Sequence, residues 1–151
     1  MGAFDLFNKK QLTEQAEAVE VLQKKLSEAE SVLTAVSKVQ AMIEFKLDGT
    51  IIHANENFLR AVGYTLDEIK GKHHSMFAEP GVSSTIEYRH FWDKLGRGEY
   101  DAGQYKRIGK GGKEVWIEAS YNPIMDQSGK PFKVVKFATD ITQATLRATF
   151  N

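Results

Sequence analysis

Cysteine is absent from the 151 residues of the sequence. This absence excludes disulfide bonds, thiolate metal sites, cysteine nucleophiles and thioether-linked chromophores. A chain without disulfide bonds fits a reducing compartment, and we expect a cytoplasmic protein.

An excess of charge of either sign is also absent, because 20 Lys and Arg residues balance 20 Asp and Glu residues. No net field therefore favours nucleic acid or an anionic membrane surface as a partner. No apolar run approaches the roughly 18 residues needed to span a bilayer. We expect no nucleic-acid binding and no membrane span, and a partner that is a protein or a small ligand.

Glycine and proline are missing from Ala3 to Asp48, and most of this segment consists of good helix formers. The pattern predicts a long amphipathic helix over residues 1–40. Positions a and d of a heptad repeat are then occupied by Leu12, Gln15, Val19, Leu22, Leu26, Ala29, Leu33 and Val36. Such a seam is typical of a two-stranded coiled coil, so we expect a homodimer. The alternative is an amphipathic helix that packs on its own domain.

After residue 40 the periodicity changes to short strands and short helices. Asp48-Gly49 predicts a hairpin turn, Asn55 predicts a helix N-cap, and Ser83 or Ser84 is expected to open a longer helix. Three further strands are predicted at Ala102–Ile108, Glu114–Asn122 and Phe132–Thr139. The order predicts an α+β domain with one five-stranded antiparallel sheet and its short helices on one face.

Several stretches in this order resemble the PAS family of sensory domains. They are His53-Ala54-Asn55-Glu56-Asn57-Phe58, Gly63-Tyr64-Thr65-Leu66-Asp67-Glu68-Ile69-Lys70-Gly71-Lys72, Gly111-Gly112-Lys113-Glu114-Val115-Trp116 and Asn122-Pro123-Ile124. The resemblance covers residues 41–142. This segment is most similar in character to the PAS domains of soluble methyl-accepting chemotaxis proteins of the aerotaxis and biofilm-dispersal types. The resemblance implies a PAS fold, a homodimer through the N-terminal helix and the PAS domain, and a sensory rather than enzymatic role. The alternative is a cofactor-free PAS dimerisation module of a histidine kinase or a cyclic-di-nucleotide enzyme.

The resemblance also implies an exit for the signal at Asp140-Ile141-Thr142. In PAS sensors an Asp-x-Thr sequence leads into the helix that follows the domain. Residues 143–151 are then the start of a connecting helix, and we expect a downstream receptor signalling module beyond it.

A sensor of this family holds a group in its pocket whose state changes with the environment. Haem b is the favoured group, because a single imidazole facing an apolar pocket can bind haem iron. The candidate iron ligands are His90, His73 and His74, and the expected lining residues are Phe58, Leu95, Tyr105 and Trp116. The alternative for each histidine is a surface position or a hydrogen bond within the protein.

Flavin adenine dinucleotide is the second candidate, and a pocket that is empty or takes a small metabolite is the third. The resemblance to aerotaxis receptors implies that Asn55 lies near the flavin. Asp101 and Arg107, however, stand where that family has the Trp and Asn that hold the flavin ring. The sequence leaves open which face of the strand around Trp116 meets the pocket.

Overall fold

The computed structural model of the protein describes residues 2–150. Met1 and Asn151, the outermost residues of the predicted N-terminal and connecting helices, lie outside the described residues. The described chain divides into two compact units between Lys38 and Val39.

The first unit is a single helix, α1, over Ala3–Val39, and its 37 residues extend for about 55 Å. None of its side chains is buried. The predicted seam residues Leu12, Leu22 and Leu26 are each exposed by more than half, at 65%, 64% and 60%. Because the chain itself buries none of this helix, helix propensity rather than packing within the chain favours α1.

The second unit contains a five-stranded antiparallel sheet. Its strands are β1 (Ala41–Phe45), β2 (Ile51–Ala54), β3 (Asp101–Ile108), β4 (Glu114–Met125) and β5 (Pro131–Asp140), in the order β2-β1-β5-β4-β3. The predicted α+β class and sheet are therefore confirmed. The last strand in the chain lies at the centre of the sheet, between β1 and β4.

The β1–β2 turn shows why glycine stands at position 49. Gly49 has a φ of +92°, and the Asp48 carboxylate accepts a hydrogen bond from the Thr50 N–H at 2.9 Å. A Cβ at Gly49 would also lie 2.5 Å from His73 Nε2. Both the positive φ and the close approach exclude larger residues, so the predicted hairpin turn is confirmed.

Short helices link the second and third strands. They are α2 (Glu56–Val62), α3 (Leu66–Ile69), two 3₁₀ helices at His74–Phe77 and Val82–Ser84, and α4 (Ile86–Gly96). Asn55 caps α2 as predicted. The predicted start of α4 at Ser83 or Ser84 is wrong, because those residues close a separate 3₁₀ helix and Thr85 supplies the N-cap. A third 3₁₀ helix, Lys110–Gly112, joins β3 to β4, and α5 (Thr142–Phe150) follows the sheet.

The core lies between one face of the sheet, termed here the inner face, and the short helices. Alternation along β4 places four buried side chains on this face, whereas Trp116 and Glu118 point the other way. The four are Val115, Ile117, Ala119 and Tyr121. Phe58 from α2, Phe77 from the first 3₁₀ helix and Leu95 from α4 pack into the same cluster. Within residues 2–150, no helix is long and apolar enough to cross a membrane.

Candidate functional site

Lys136 occupies the centre of the inner face. It lies on β5 between the buried residues Val134 and Ala138, and its partners across the two ladders are Ile43 and Tyr121. Only 1% of Lys136 is exposed. A fully buried lysine is rare unless it is paired, so this position singles out the site.

Aromatic rings surround the Lys136 ammonium. Its Nζ lies 4.8 Å from the centre of the Tyr121 ring and 5.6 Å from that of Phe58. Among residues 2–150, these ring contacts are not accompanied by a hydrogen bond or an ion pair of the Nζ. Burial, together with the charge of Arg107, holds the pKa of Lys136 well below its usual value.

His74 lies beside this lysine and is also fully buried. Its Nδ1 is 2.7 Å from the Tyr88 hydroxyl and its Nε2 is 3.0 Å from the Tyr121 hydroxyl. Burial lowers the pKa of His74 well below its usual value, and the nearby charges of Lys136 and Arg107 act in the same direction. The imidazole is therefore neutral at pH 7, with one ring nitrogen donating and the other accepting.

Arg107 adds a second cation from β3. Its guanidinium donates a hydrogen bond to the Tyr121 hydroxyl at 2.9 Å and lies 4.8 Å from the centre of the Tyr105 ring. Its Nε is buried and has no hydrogen-bond partner within the described part of the chain. Burial raises the pKa of Tyr121, so its hydroxyl stays protonated and links His74 to Arg107.

The Asp101 carboxylate lies close enough to act on the Tyr121 hydroxyl, and other groups already bind it. Asp101 accepts a hydrogen bond from Lys94 Nζ at 3.1 Å and a short one from the Tyr105 hydroxyl. Burial and the bond to Asp101 raise the pKa of Tyr105. The cluster formed by His74, Tyr88, Arg107, Tyr121 and Lys136, termed here the inner cluster, therefore contains the basic side chains of Lys136 and Arg107 and no carboxylate of its own.

Three of the residues predicted to line the pocket do lie at the inner face. Phe58 and Leu95 are buried in the core, and Tyr105 is half-buried with its ring centre 5.5 Å from that of Tyr121. Trp116 does not, because it lies on the opposite face of β4 and its Nε1 donates to Glu114 at 2.6 Å. Trp116 therefore lies away from the core, because the odd-numbered β4 residues face it.

Asn55 ties backbone segments together. Its Oδ1 accepts hydrogen bonds from the N–H groups of Met42 and Phe58, both at 3.0 Å, and its Nδ2 donates to the Gln40 carbonyl at 2.8 Å. These bonds hold the start of α2 against the start of β1. The side-chain amide therefore serves the fold at this position.

The candidate haem ligands differ in their surroundings. His90 is exposed on α4, so its imidazole does not face the core as a pocket ligand would. His73 is half-buried and caps the first 3₁₀ helix, with Nε2 2.7 Å from the Asp48 carbonyl and Nδ1 accepting from the Ser75 N–H. Only His74 reaches the core, and tyrosine hydroxyls occupy both of its ring nitrogens.

The predicted signal exit forms a compact hydrogen-bonded junction at the end of β5. Asp140 Oδ1 accepts hydrogen bonds from the Thr142 N–H at 2.9 Å and from the Thr142 hydroxyl at 2.6 Å. Thr142 Oγ1 in turn accepts from the Trp116 N–H at 2.9 Å. Through these contacts the start of α5 is joined to both β4 and β5.

The sequence analysis did not predict that Lys136 and Tyr121 are in contact at the centre of the site. A signal for Lys136 exists in the sequence, because alternation along Phe132–Thr139 places it on the same face as Val134 and Ala138. The pairing with Tyr121 depends on strand register, which only the assembled sheet provides.

Comparison with known proteins places this geometry in a family. Residues 51–138 match the family model described as PAS fold. The chain is 47% identical over 120 residues to the biofilm dispersion protein BdlA of Pseudomonas aeruginosa, which covers 80% of this chain and 29% of that protein. It is 30% identical over 102 residues to the aerotaxis receptor of Escherichia coli, which covers 68% of this chain and 20% of that protein. The chain thus spans less than a third of either relative.

Solved structures share the fold. A PAS domain from Colwellia psychrerythraea has a TM-score of 0.66 at 22% identity and covers 76% of this chain and 98% of its own. A light-oxygen-voltage domain studied with a flavin analogue has a TM-score of 0.63 at 20% identity, with 82% of this chain and 91% of its own covered. The inner face that holds Lys136 is thus the inner face of a PAS sheet, and the chain belongs to the PAS family.

Proposed function

We propose that this chain is the sensory input domain of a chemotaxis-type receptor and that it senses a small molecule held at the inner cluster. Its role is sensory and not catalytic. The observation that carries the proposal is the buried Lys136, whose ammonium lacks a partner among residues 2–150 at the centre of the sheet. A group of this kind costs several kcal/mol to bury and is retained where a bound molecule can pair with it.

Haem, which the sequence favoured, does not fit the residues present. Iron needs an imidazole nitrogen that is free and faces the pocket. His90 is exposed, and the ring nitrogens of His73 and His74 are engaged in hydrogen bonds. For haem to bind, His74 would have to give up its bonds to Tyr88 and Tyr121.

Flavin is the second candidate, supported by the fold shared with light-oxygen-voltage domains. Asn55, which the resemblance places near the flavin, caps α2. Asp101 and Arg107, which stand where the family has the flavin-holding Trp and Asn, bind Lys94 and Tyr121. These contacts favour a smaller ligand, and the experiment below distinguishes the two.

We further propose a cytoplasmic homodimer that signals to a downstream module. The exposed apolar seam of α1 supports the dimer, because a helix with no buried residue gains stability by pairing with a second copy. The Asp140–Thr142 junction supports an exit from β5 into α5, since a shift of β5 moves Asp140 directly.

The test is to identify the molecule that the 151-residue chain retains on purification. The chain is expressed in medium supplemented with haem and riboflavin precursors, its absorption spectrum is recorded, and the molecules released by denaturation are identified by mass spectrometry. We expect one colourless small molecule in near-stoichiometric amount.

Each other result has a defined meaning. A flavin spectrum supports the second candidate, and a Soret band shows that His74 releases its tyrosine partners. A chain that retains no molecule, and whose Tm does not respond to a metabolite library, contradicts the sensory proposal and indicates a cofactor-free dimerisation module.

A further inference from the structure

We propose that Lys136 and Arg107 form an anion-binding site at the inner cluster and that the ligand is a small organic acid bound through its carboxylate. This inference rests on the proposed function and specifies its ligand class. The two cations flank one side chain, because the Lys136 ammonium lies over the Tyr121 ring and the Arg107 guanidinium donates to the Tyr121 hydroxyl.

The charge of Lys136 has no compensation inside the protein. Its neighbours across the sheet, Ile43 and Tyr121, bring no carboxylate, and the Asp101 carboxylate is bound by Lys94 and Tyr105. Aromatic faces alone compensate only part of the cost of burying a cation. A ligand carboxylate at this point would favour the protonated lysine and pair with the ammonium in a medium of low dielectric constant, where such a pair is strong.

Arg107 supplies a second donor for the same carboxylate. One of its guanidinium nitrogens binds Tyr121, but its buried Nε–H has no acceptor among the described residues. An unsatisfied buried donor is costly, and a carboxylate is the acceptor that a guanidinium binds best. Two unpaired donors near one tyrosine thus point to one anionic group.

The remaining surroundings define the rest of the ligand. Phe58, Phe45 and Ile43 are buried and apolar, and they suit a short hydrocarbon portion rather than a second charge. Tyr88 and Phe91 on α4 are only partly buried and cover His74 and Tyr121 from the helix side. A small acid with one carboxylate and a short apolar body fits this composition.

The test compares acids with their uncharged amides. Thermal unfolding of the 151-residue chain is followed with acetate, propionate, butyrate and pyruvate, with acetamide, propionamide and butyramide, and with sodium chloride at matched ionic strength. We expect at least one acid to raise Tm by roughly 5 °C or more at saturation, while its amide has no effect.

Variants locate the effect. Lys136→Met should abolish the rise, and Arg107→Gln should weaken the binding by about tenfold or more. Lys133→Met is the matched control, because Lys133 lies on the same strand and pairs with Glu44 at 2.7 Å on the other face. It should retain the full rise. If Lys136→Met fails to fold, Lys136→Gln takes its place.

The results separate this inference from the proposed function. Amides that stabilise as well as acids, or a rise that survives in Lys136→Met, overturn the anion site and leave a sensory pocket for uncharged ligands. If no acid raises Tm the inference is also overturned, and the mass spectrometry of released molecules decides the proposed function independently.

Discussion

Lys136 stands directly opposite Tyr121 across the β4–β5 ladder, and its Nζ lies 4.8 Å from the centre of that ring. A desolvated cation–π contact of this kind contributes about 2 kcal/mol. The cost of burying an ammonium is several kcal/mol, so the contact offsets only part of it, and the remainder lowers the pKa of Lys136. The inner face therefore carries a destabilising group at its centre, and its effect on stability can be measured.

Lys136→Met should raise the free energy of unfolding and remove part of its pH dependence. The pKa of Lys136 is lowered in the folded chain, so the unfolded chain binds the extra proton below the ordinary value near 10.4. Stability therefore rises with pH in the window above the lowered pKa, by up to about 1.4 kcal/mol per unit. Urea denaturation between pH 7 and 9 measures this slope. Lys133→Met should keep the slope, and a Lys136→Met variant that also keeps it contradicts the prediction.

The buried His74 should make the protein sensitive to mild acid. Its folded pKa is lowered, so below the unfolded value near 6.5 the unfolded chain binds a proton that the native chain does not. Stability is then lost as pH falls, by about 1.4 kcal/mol per unit. In His74→Gln, which cannot titrate, this loss should vanish between pH 7 and 5.5. The exposed His90 gives the control, and equal slopes in His74→Gln and His90→Gln would refute the assignment.

A single charge in the seam of α1 should break the proposed dimer. Leu22 occupies position d of the heptad and is 64% exposed in the chain. A lysine there places an ammonium in an apolar interface, so light scattering after size exclusion should report a monomer for Leu22→Lys. Val21 is 53% exposed but lies off the seam, and Val21→Lys should stay dimeric. The seam is wrong if the two variants have the same mass.

Asp140→Ala should loosen the start of α5. The variant removes an acceptor for the Thr142 N–H, and the loss of such a bond costs about 1 kcal/mol. Hydrogen exchange at the Thr142 amide should therefore become roughly fivefold faster. Asp126 makes the same kind of turn with Ser128 between β4 and β5, so Asp126→Ala should affect Ser128 and leave Thr142 unchanged. In a full-length receptor, unaltered output from Asp140→Ala would contradict the proposed signal exit.

Local features of the fold could be predicted because they depend on neighbouring residues. The Asp48-Gly49 turn and the Asn55 cap each involve groups within three residues of one another. The same holds for the three C-terminal strands, whose turns carry glycine at Gly111 and Gly129. Helix α4 was placed too early because Val82–Ser84 form a 3₁₀ helix, which the same residue types also favour.

The site itself depended on register and on which face is covered. The sequence predicts Trp116 as a lining residue but does not say which face of β4 meets the core, and the pleat places Trp116 and Tyr121 on opposite faces. His90 and Phe91 are adjacent in the sequence, but one residue turns the helix by about 100°. Phe91 is therefore half-buried on α4, whereas His90 faces solvent.

By itself the sequence determined the class of the fold, the long N-terminal helix and the family, because propensity, capping and turn chemistry act over a few residues. The tertiary structure alone decided that Lys136, Tyr121, His74 and Arg107 meet. Those residues come from β5, β4, the first 3₁₀ helix and β3, and His74 and Tyr121 are separated by 47 positions in the chain. Their contact follows from the central place of β5 in the sheet. Burial there removes polar groups from water, so a group without a hydrogen-bond or ion-pair partner lowers the stability of the fold.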